Sequence, residues 1–239
     1  MSLDLLAFDT STEQLSVAVQ RADGVRQRRQ AAGGARASAA LIPSVQALLA
    51  QAGLALGELR AIVFGRGPGS FTGLRTACSV AQGLAFGAGV PALPVDTLLA
   101  VAEAARRSHG ATRVLALLDA RMDELYSAAY VHDGDGWRAL SGIAVGRPEA
   151  LLAPSEAVGG GWALAGNAFE PKYVNRLPPA LQGWPRIEAA PTADALLDLA
   201  PALLAAGLAV PAGQALPLYI RDKVAQTTAE RIAVTPGAR

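Results

Sequence analysis

Two stretches of this chain carry residue types that could hold an anion: Asp9-Thr10-Ser11-Thr12, and Gly65 to Arg75, GRGPGSFTGLR. The apolar run Ala61-Ile62-Val63-Phe64 leads into the longer stretch and an alanine-rich run, Thr76 to Ala88, leads out of it. It therefore reads as a glycine turn between a strand and a helix. Gly65, Gly67 and Gly69 permit positive φ and close backbone approach, Pro68 restricts one φ, and Ser70 or Thr72 can cap the helix. Free N–H groups at a helix start favour an anion by roughly 0.3–1 kcal/mol per charge, up to ~2 when partly buried. No Gly-Lys-Ser/Thr closes the turn, so it is not a P-loop. Gly65-x-Gly67 is followed by Ser70 and Gly67-x-Gly69 by Thr72, so both frames miss the third glycine of a dinucleotide fingerprint. A tight strand-to-helix connection without any ligand fits the same residues. The hydroxyl-rich turn after Phe8 suits phosphate or metal-bound water. The candidate phosphate contacts are Asp9, Thr10, Ser11, Thr12, Gly67, Gly69, Ser70 and Gly73.

The elements that must position these residues follow from hydrophobic pattern and turn signals. Leu3 to Phe8 is a first strand, Leu15 to Val19 a second, and an Asp23-Gly24 hairpin leads to a third at Val25 to Gln30. Ser38 precedes a helical stripe of Leu41, Ile42, Val45, Leu48 and Leu49, with Pro43 in its first turn and Gly53 at its end. Val90 to Val95 is strand-like, and Asp96-Thr97 caps a helix, Leu98 to Arg107. The pattern then restarts. A shift of 110 residues brings Leu5 onto Leu115, Asp9 onto Asp119, Leu15 onto Leu125, Ala18 onto Ala128, and Glu13 onto Asp123. Strands Arg113 to Leu118 and Leu125 to Val131, an acidic glycine hairpin, and a third strand at Trp137 to Leu140 repeat the order of the first half. The copies differ at the hydroxyls, where Thr10-Ser11-Thr12 become Ala120-Arg121-Met122. Beyond them we expect a helix at Pro148 to Ala153, a surface loop around Gly159-Gly160-Gly161, a strand in Trp162 to Asn167, a helix at Ala193 to Leu204 and a loop from Pro211 to Tyr219. The expected fold is α/β, with mixed sheets flanked by helices in two units, residues 1–108 and 109–239, the tail of the second packing back on the first.

Composition bounds the partners. The 51% hydrophobic fraction is ample for a packed core, and a net charge of +1 from 21 basic and 20 acidic residues gives no overall drive toward nucleic acid. Arg21, Arg26, Arg28 and Arg29 form a local basic patch that reads as a solvated hairpin edge. Cys78 has no partner for a disulfide or zinc site and reads as a small buried thiol, while His109 and His132 sit in polar, loop-like contexts, so no metal centre is expected. Signal-peptide and membrane-span patterns are lacking, and the expected compartment is the cytoplasm.

The helix from Thr72 to Ala88 is small or apolar over most of its circumference, more than a one-sided surface helix needs. We therefore expect it to pair, together with the helix from Ser38, with the same two helices of a second chain. The residues assigned to that surface are Leu41, Val45, Leu48, Gly73, Arg75, Ala77, Cys78, Ala81, Gln82 and Ala85.

Two strand-hairpin units, each with an aspartate at the end of its first strand, look like the duplicated ribonuclease-H-like architecture of actin, Hsp70 and sugar kinases, where hydroxyls after the first aspartate meet ATP phosphates. Within that superfamily LAFDTSTEQLSVAV, FGRGPGSFTGLR, LLDARMDELYSAAY and LPLYIRDKVA, in this order, resemble the bacterial TsaB (YeaZ) family over nearly the whole chain. The resemblance implies a non-catalytic paralogue of TsaD. With a TsaD-like catalytic subunit and a TsaE-like ATPase, it would serve formation of N6-threonylcarbamoyladenosine in tRNAs that read ANN codons. The implied states are a homodimer when alone and a heterodimer with TsaD, with tRNA met only through the complex and no membrane. The implied cofactor list is short: none tightly bound, with ATP or ADP and magnesium at a partner boundary left open. TsaD proteins carry paired metal-binding histidines in the helix after the third strand. Ala37 to Pro43 here contains no histidine, even at Ala37, where TsaB relatives often have one. Two enzyme readings compete. A glycoprotease-like peptidase would need a ligand cluster or a serine–histidine arrangement, and a self-sufficient ATP-binding kinase-like enzyme would need both turns intact.

Overall fold

The computed structural model describes residues 3–157 and 160–221, so Gly159 of the expected loop and the part of LPLYIRDKVA beyond Arg221 lie outside the described residues. The first half builds a five-stranded sheet from β1 (Leu5–Asp9), β2 (Gln14–Gln20), β3 (Arg26–Ala32), β4 (Ala61–Gly67) and β5 (Ala92–Asp96), in the order β3-β2-β1-β4-β5. It also supplies α1 (Ala37–Ala52), α2 (Phe71–Ala88) and α3 (Thr97–His109), each ended by a left-handed glycine, Gly53, Gly89 and Gly110. The second half builds a six-stranded sheet from β6 (Arg113–Asp119), β7 (Leu125–His132), β8 (Trp137–Ala139), β9 (Ala144–Gly146), β10 (Trp162–Gly166) and β11 (Arg186–Glu188). The short α4 (Pro171–Val174) and α5 (Pro179–Gln182) separate β10 from β11, and α6 (Ala193–Ala205) follows. The order β11-β10-β6-β7-β8, with β9 also on β7, repeats the first sheet strand for strand. In each half the first strand is central: β1 is antiparallel to β2 and parallel to β4, and β6 is antiparallel to β7 and parallel to β10.

Central strands buried on both faces explain the continuous apolar runs at Leu5–Phe8 and Val114–Leu118. Leu6, Phe8, Val17, Ile62 and Phe64 face α1 and α2, while Leu5, Ala7, Ala18 and Val63 face Leu196, Leu197 and Ala200 of α6. On the second sheet Val114, Ala116 and Leu118 meet Leu98, Val101 and Ala105 of α3, and Leu115, Leu117 and Leu125 meet Tyr173, Leu177 and Leu181. Thus α3 covers the second sheet, and α6, from the second half, covers the first. The N-terminus of α6 is held on β2 by the Ala193 N–H, which donates to Ser16 Oγ at 2.9 Å.

The structure amends several expectations. The repeat is real in topology, but the shift of 110 does not carry through the hairpin. Asp9 sits opposite Ser16, whereas Asp119 sits opposite Leu125, so the second turn is one residue shorter. A slip of one residue reverses every side chain. Leu15 accordingly lies with Phe8 on the α1–α2 face, while Leu125 lies with Leu117 on the opposite kind of face. Pro43 is inside α1 rather than in its first turn; the carbonyl of Ala39, which it cannot bond, belongs to an exposed residue. Pro148–Ala150 is a single 3-10 turn, not a helix to Ala153, and β9 and β11 are too short to leave a pattern. No helix among the described residues is long and apolar enough to cross a membrane.

The basic patch is not simply solvated. β3 is an edge strand, and Arg26 reaches across its sheet to Asp194 at 3.4 Å and Asp198 at 2.6 Å on α6, with Arg28 also within 3.5 Å of Asp194. Arg26 is only 20% exposed, and Asp198 is shared with Arg107 of α3. These charges fasten α6 to the first sheet. Arg26→Ala is expected to lower stability by about 1.5–3 kcal/mol, the range for hydrogen bonds to charged groups. Urea unfolding checks it: an unchanged midpoint would mean that the clamp is exchanged for water without loss.

Candidate functional site

The turn after β1 and the glycine stretch after β4 meet in space. β4 runs on through Gly65 and Gly67, so the true turn is Pro68-Gly69-Ser70, and α2 begins at Phe71. The two segments touch backbone to backbone. A Cβ on Gly73 would lie 1.9 Å from the carbonyl oxygen of Thr10, one on Gly69 2.5 Å from that of Ser11, and one on Gly65 1.7 Å from Asp9 Oδ2. Gly67 alone of the four has positive φ, at 122°. Close approach, rather than turn conformation, explains Gly65, Gly69 and Gly73.

This contact uses the groups that looked available for phosphate. Thr10 Oγ1 donates to the Gly73 carbonyl at 2.7 Å, and Asp9 Oδ1 accepts from the Ser11 N–H at 2.8 Å and Ser11 Oγ at 2.7 Å. The Ser70 N–H donates to the Ser11 carbonyl at 2.7 Å, and the Ser70 side chain, at the N-cap position, makes no capping bond. Thr72 lies inside the helix. Asp9, Thr10 and Ser11 are buried and Thr12 is half-buried. Thr10 Oγ1 and Ser11 Oγ would have to leave the Gly73 carbonyl and Asp9 Oδ1 before donating to a phosphate. Asp9 Oδ2 has no hydrogen-bond partner. Burial pushes the Asp9 carboxyl up from 3.8 to about 6, against the smaller opposing effect of the Ser11 donors.

In the second half the corresponding turn is built differently. Arg121, Met122 and Asp123 hold φ of 63°, 56° and 58°, three consecutive left-handed residues without a glycine. Asp119 Oδ1 accepts from the Arg121 N–H at 2.7 Å and from the Tyr173 hydroxyl at 2.6 Å, and the Asp119 N–H donates to Asn167 Oδ1 at 2.9 Å. Between the two turns lies a cleft of about 480 Å³. Ser11, Thr12, Glu13, Ser70 and Phe71 line it from one side, Asp119, Arg121, Met122, Asn167 and Glu170 from the other, and Leu218 to Arg221 along its mouth. Arg121 reaches Glu13 across the opening at 2.6 Å, both side chains being well exposed. Of the cleft residues beyond the two turns, Asn167 and Glu170 lie around short elements and carried no signal in sequence, whereas Tyr219 and Arg221 belong to the LPLYIRDKVA stretch, which carried the resemblance but no role.

Among the described residues no group of three or more His, Cys, Asp and Glu side chains is placed to hold a metal ion. His109 bonds Ser108, His132 Nδ1 accepts from the Gly134 N–H, and Cys78 is a buried thiol whose pKa burial raises.

The residues assigned to a partner surface divide sharply. Leu41, Val45, Leu48, Ala77, Cys78, Ala81 and Ala85 are at most 4% exposed and Gly73 is buried, so they belong to the core of the chain itself and cannot touch a second one. Gln82 is half-buried and donates to the Ala215 carbonyl at 2.7 Å, and Arg75 is exposed. The small residues let α2 lie close on its own sheet. What α1 and α2 turn outward is Ile42 at 43%, Phe71 at 37% and Phe86 at 83% exposure. Gly83 and Gly87, where an added Cβ would meet nothing, flank Phe86.

Comparison with known proteins agrees with this architecture. Residues 32–229 match the family described as TsaD, tRNA N6-adenosine threonylcarbamoyltransferase. The chain is 36% identical over 234 residues to the tRNA threonylcarbamoyladenosine biosynthesis protein TsaB of Escherichia coli K12, covering 92% of this chain and 96% of that one. It is 35% identical over 236 residues to the Haemophilus influenzae protein of the same name, covering 93% and 95%. The solved structure of YeaZ from Pseudomonas aeruginosa superposes with a TM-score of 0.83 at 42% identity, over 92% of this chain and all of that one. The chain belongs to the TsaB (YeaZ) family.

Asp9 makes stability depend on pH in the unusual direction. Its folded pKa lies above its unfolded one, so the penalty is absent below about pH 4, grows as pH rises through about 6 and is complete above. At about 1.4 kcal/mol per unit the whole is on the order of 3 kcal/mol. Asp9→Asn retains an oxygen for the Ser11 donors and removes the titration. The variant is expected to melt higher than wild type at pH 7.5, with the gain vanishing toward pH 4. Parallel melting curves for the two proteins across pH 4–8 would show that Asp9 carries no such penalty.

Proposed function

We propose that this TsaB-family chain is a non-catalytic subunit that docks on a TsaD-type threonylcarbamoyltransferase. There it supports N6-threonylcarbamoyladenosine formation in tRNAs reading ANN codons, in the cytoplasm and alongside a TsaE-like ATPase. The observation that carries the reading is the closed first turn. Asp9, Thr10 and Ser11 direct their polar atoms at one another and at Gly73, and the second turn offers Ala120-Arg121-Met122. A catalyst of this architecture needs those groups facing a substrate. The same closure supports weak nucleotide binding at most for the isolated chain; nucleotide and magnesium at a boundary with the partner remain compatible with it. A peptidase or an independent kinase has no residue set on this surface to recommend it.

The partner surface is the outward face of α1 and α2, with Phe86 near the end of α2 as its large apolar anchor and Ile42 exposed near the start of α1. The same face would pair two copies when the chain is alone. Contact with tRNA would come through the complex, since the net charge is +1 and Arg26 and Arg28 are engaged with α6.

Reconstitution tests the role. A TsaD-type enzyme, threonylcarbamoyl-adenylate and tRNA should give modified tRNA only when this chain is added, and this chain alone should give none. Modification by the chain alone, or full activity of the partner without it, would overturn the proposal. The surface has its own test: Phe86→Asp should weaken partner binding by about 2 kcal/mol or more, roughly thirtyfold, with the melting temperature nearly unchanged. Titration calorimetry reads it, and wild-type affinity in the variant would move the interface elsewhere.

A further inference from the structure

The segment that follows α6 crosses the mouth of the cleft and is attached at both sides. Its start is fixed on α2. The Ala215 carbonyl, fully buried, accepts from Cys78 Sγ at 3.1 Å and from Gln82 Nε2 at 2.7 Å. The Leu218 N–H then donates to the Arg66 carbonyl at 2.7 Å, and the Leu218 carbonyl lies where a Cβ on Gly67 would stand, 2.6 Å away. Gly67, whose φ of 122° already favours glycine, also leaves no room for a side chain under this segment. Tyr219 packs on Phe71 with ring centroids 5.3 Å apart, and its hydroxyl accepts from Arg75 Nε at 3.2 Å while the Arg75 guanidinium lies 3.7 Å over Phe71. All of these contacts are to the first half. Within the next two residues the attachment changes sides. Ile220 packs into the core of the second sheet, and Arg221 bonds Glu124 and, at 3.1 Å, Met122 Sδ. The Arg221 side chain is only 13% exposed, in contrast to the exposed Arg121–Glu13 pair on the far side of the opening, which water and salt would screen.

We propose that Ala215 to Arg221 is a built-in clasp that sets the angle between the two halves and ties it to helix α2. Ordinary members of a two-lobed fold can be held closed by whatever occupies the cleft; here the chain closes itself. The clasp is a device in series. Its first-half end is the Leu218–Arg66 backbone bond together with Tyr219 on Phe71 and Arg75, its second-half end is Ile220 against the second core together with Arg221 on Glu124, and a strap released at one end holds nothing at the other. Two consequences distinguish it from a set of independent surface contacts. Loss of either end should open the cleft to the same extent, and loss of both should open it no further.

The experiment measures distance rather than activity. Nitroxide labels at Ala22→Cys in the turn between β2 and β3 and Ala180→Cys in α5, both exposed positions, report the separation of the halves in the full chain by pulsed electron paramagnetic resonance, with labelled chain diluted into unlabelled chain so that only distances within one copy are read, and with the buried Cys78 left in place. Wild type should give one narrow distribution. The single-end variants Leu218→Pro/Tyr219→Ala, which removes the N–H bonded to Arg66 as well as the ring, and Arg221→Glu should each shift it to longer and broader distances, and the double variant that joins both should match either one. Glu124→Arg combined with Arg221→Glu restores the pair with its charges exchanged and should return the distribution toward wild type, which a general loss of folding would not do. Circular dichroism confirms that each variant keeps its secondary structure. Unchanged distributions in the folded single-end variants, or effects that add in the double variant, would overturn the clasp whether or not the chain serves a transferase.

Discussion

The structure depends on one steric constraint: the turn after β1 and the start of α2 share space that only glycine can leave free. The Thr10 carbonyl occupies the position of a Gly73 side chain, the Ser11 carbonyl that of Gly69, and the Asp9 carboxylate that of Gly65. Any larger residue at these positions pushes α2 away from β1. A glycine within a helix costs about 0.8–1 kcal/mol relative to alanine, and the hydrogen bond that the close approach permits, Thr10 Oγ1 to the Gly73 carbonyl, returns about as much. The contact is therefore close to neutral in stability and decisive in geometry. It fixes where α2 starts, and through α2 the helical layer on that face of the sheet. It also buries Asp9 beside backbone that offers Oδ2 no donor, which is the origin of the raised pKa.

The second half shows what happens without that constraint. A glycine again stands on the strand parallel to the first, β10, against the end of β6: a Cβ on Gly166 would lie 1.6 Å from the Leu117 carbonyl. The strand that carries it, however, is followed by the four-residue α4 instead of the 18-residue α2. With no long helix start against the turn, the aspartate is held by side chains, Tyr173 and Asn167, and the turn adopts three left-handed residues. Such residues cost on the order of 1–2 kcal/mol each, and the bonds to Asp119 and the Glu124 N–H to the Arg121 carbonyl offset part of that. Duplication preserved strand order and altered what the strand ends present.

Much of this was legible in the sequence, for reasons that also mark where legibility ended. Strands buried on both faces leave apolar runs, so the central strands and the repeat of their order could be read from Leu5–Phe8 and Val114–Leu118. Identities could not reveal the register, because Leu15 and Leu125 are both buried leucines that face opposite ways. The glycine stretch was recognisable as a site of close approach, but its partner was the protein's own backbone rather than an anion, and composition alone does not separate the two. Arg26 looked solvated because its partners, Asp194 and Asp198, lie far along the chain. The segment at 215–221 has no periodicity, and its attachments on both sides exist only in the folded molecule.

Helix α2 was misread in the most instructive way. Its circumference is nearly all small or apolar, and one partner cannot account for that. The structure supplies two neighbours and leaves a third face open. Ala77, Ala81 and Ala85 lie on β4 and its sheet, where small side chains set the spacing. Cys78 and Gln82 hold the Ala215 carbonyl and so face the segment that crosses the cleft. Gly83, Phe86 and Gly87 face outward, an aromatic ring between two residues that leave room around it. A helix with one buried face would carry polar residues on the rest; a helix with two close-packed faces and an apolar third has almost nowhere to put them. The absence of charge from α2 after Arg75 is thus a record of how many surfaces meet there, and only one of those surfaces is free to receive another chain.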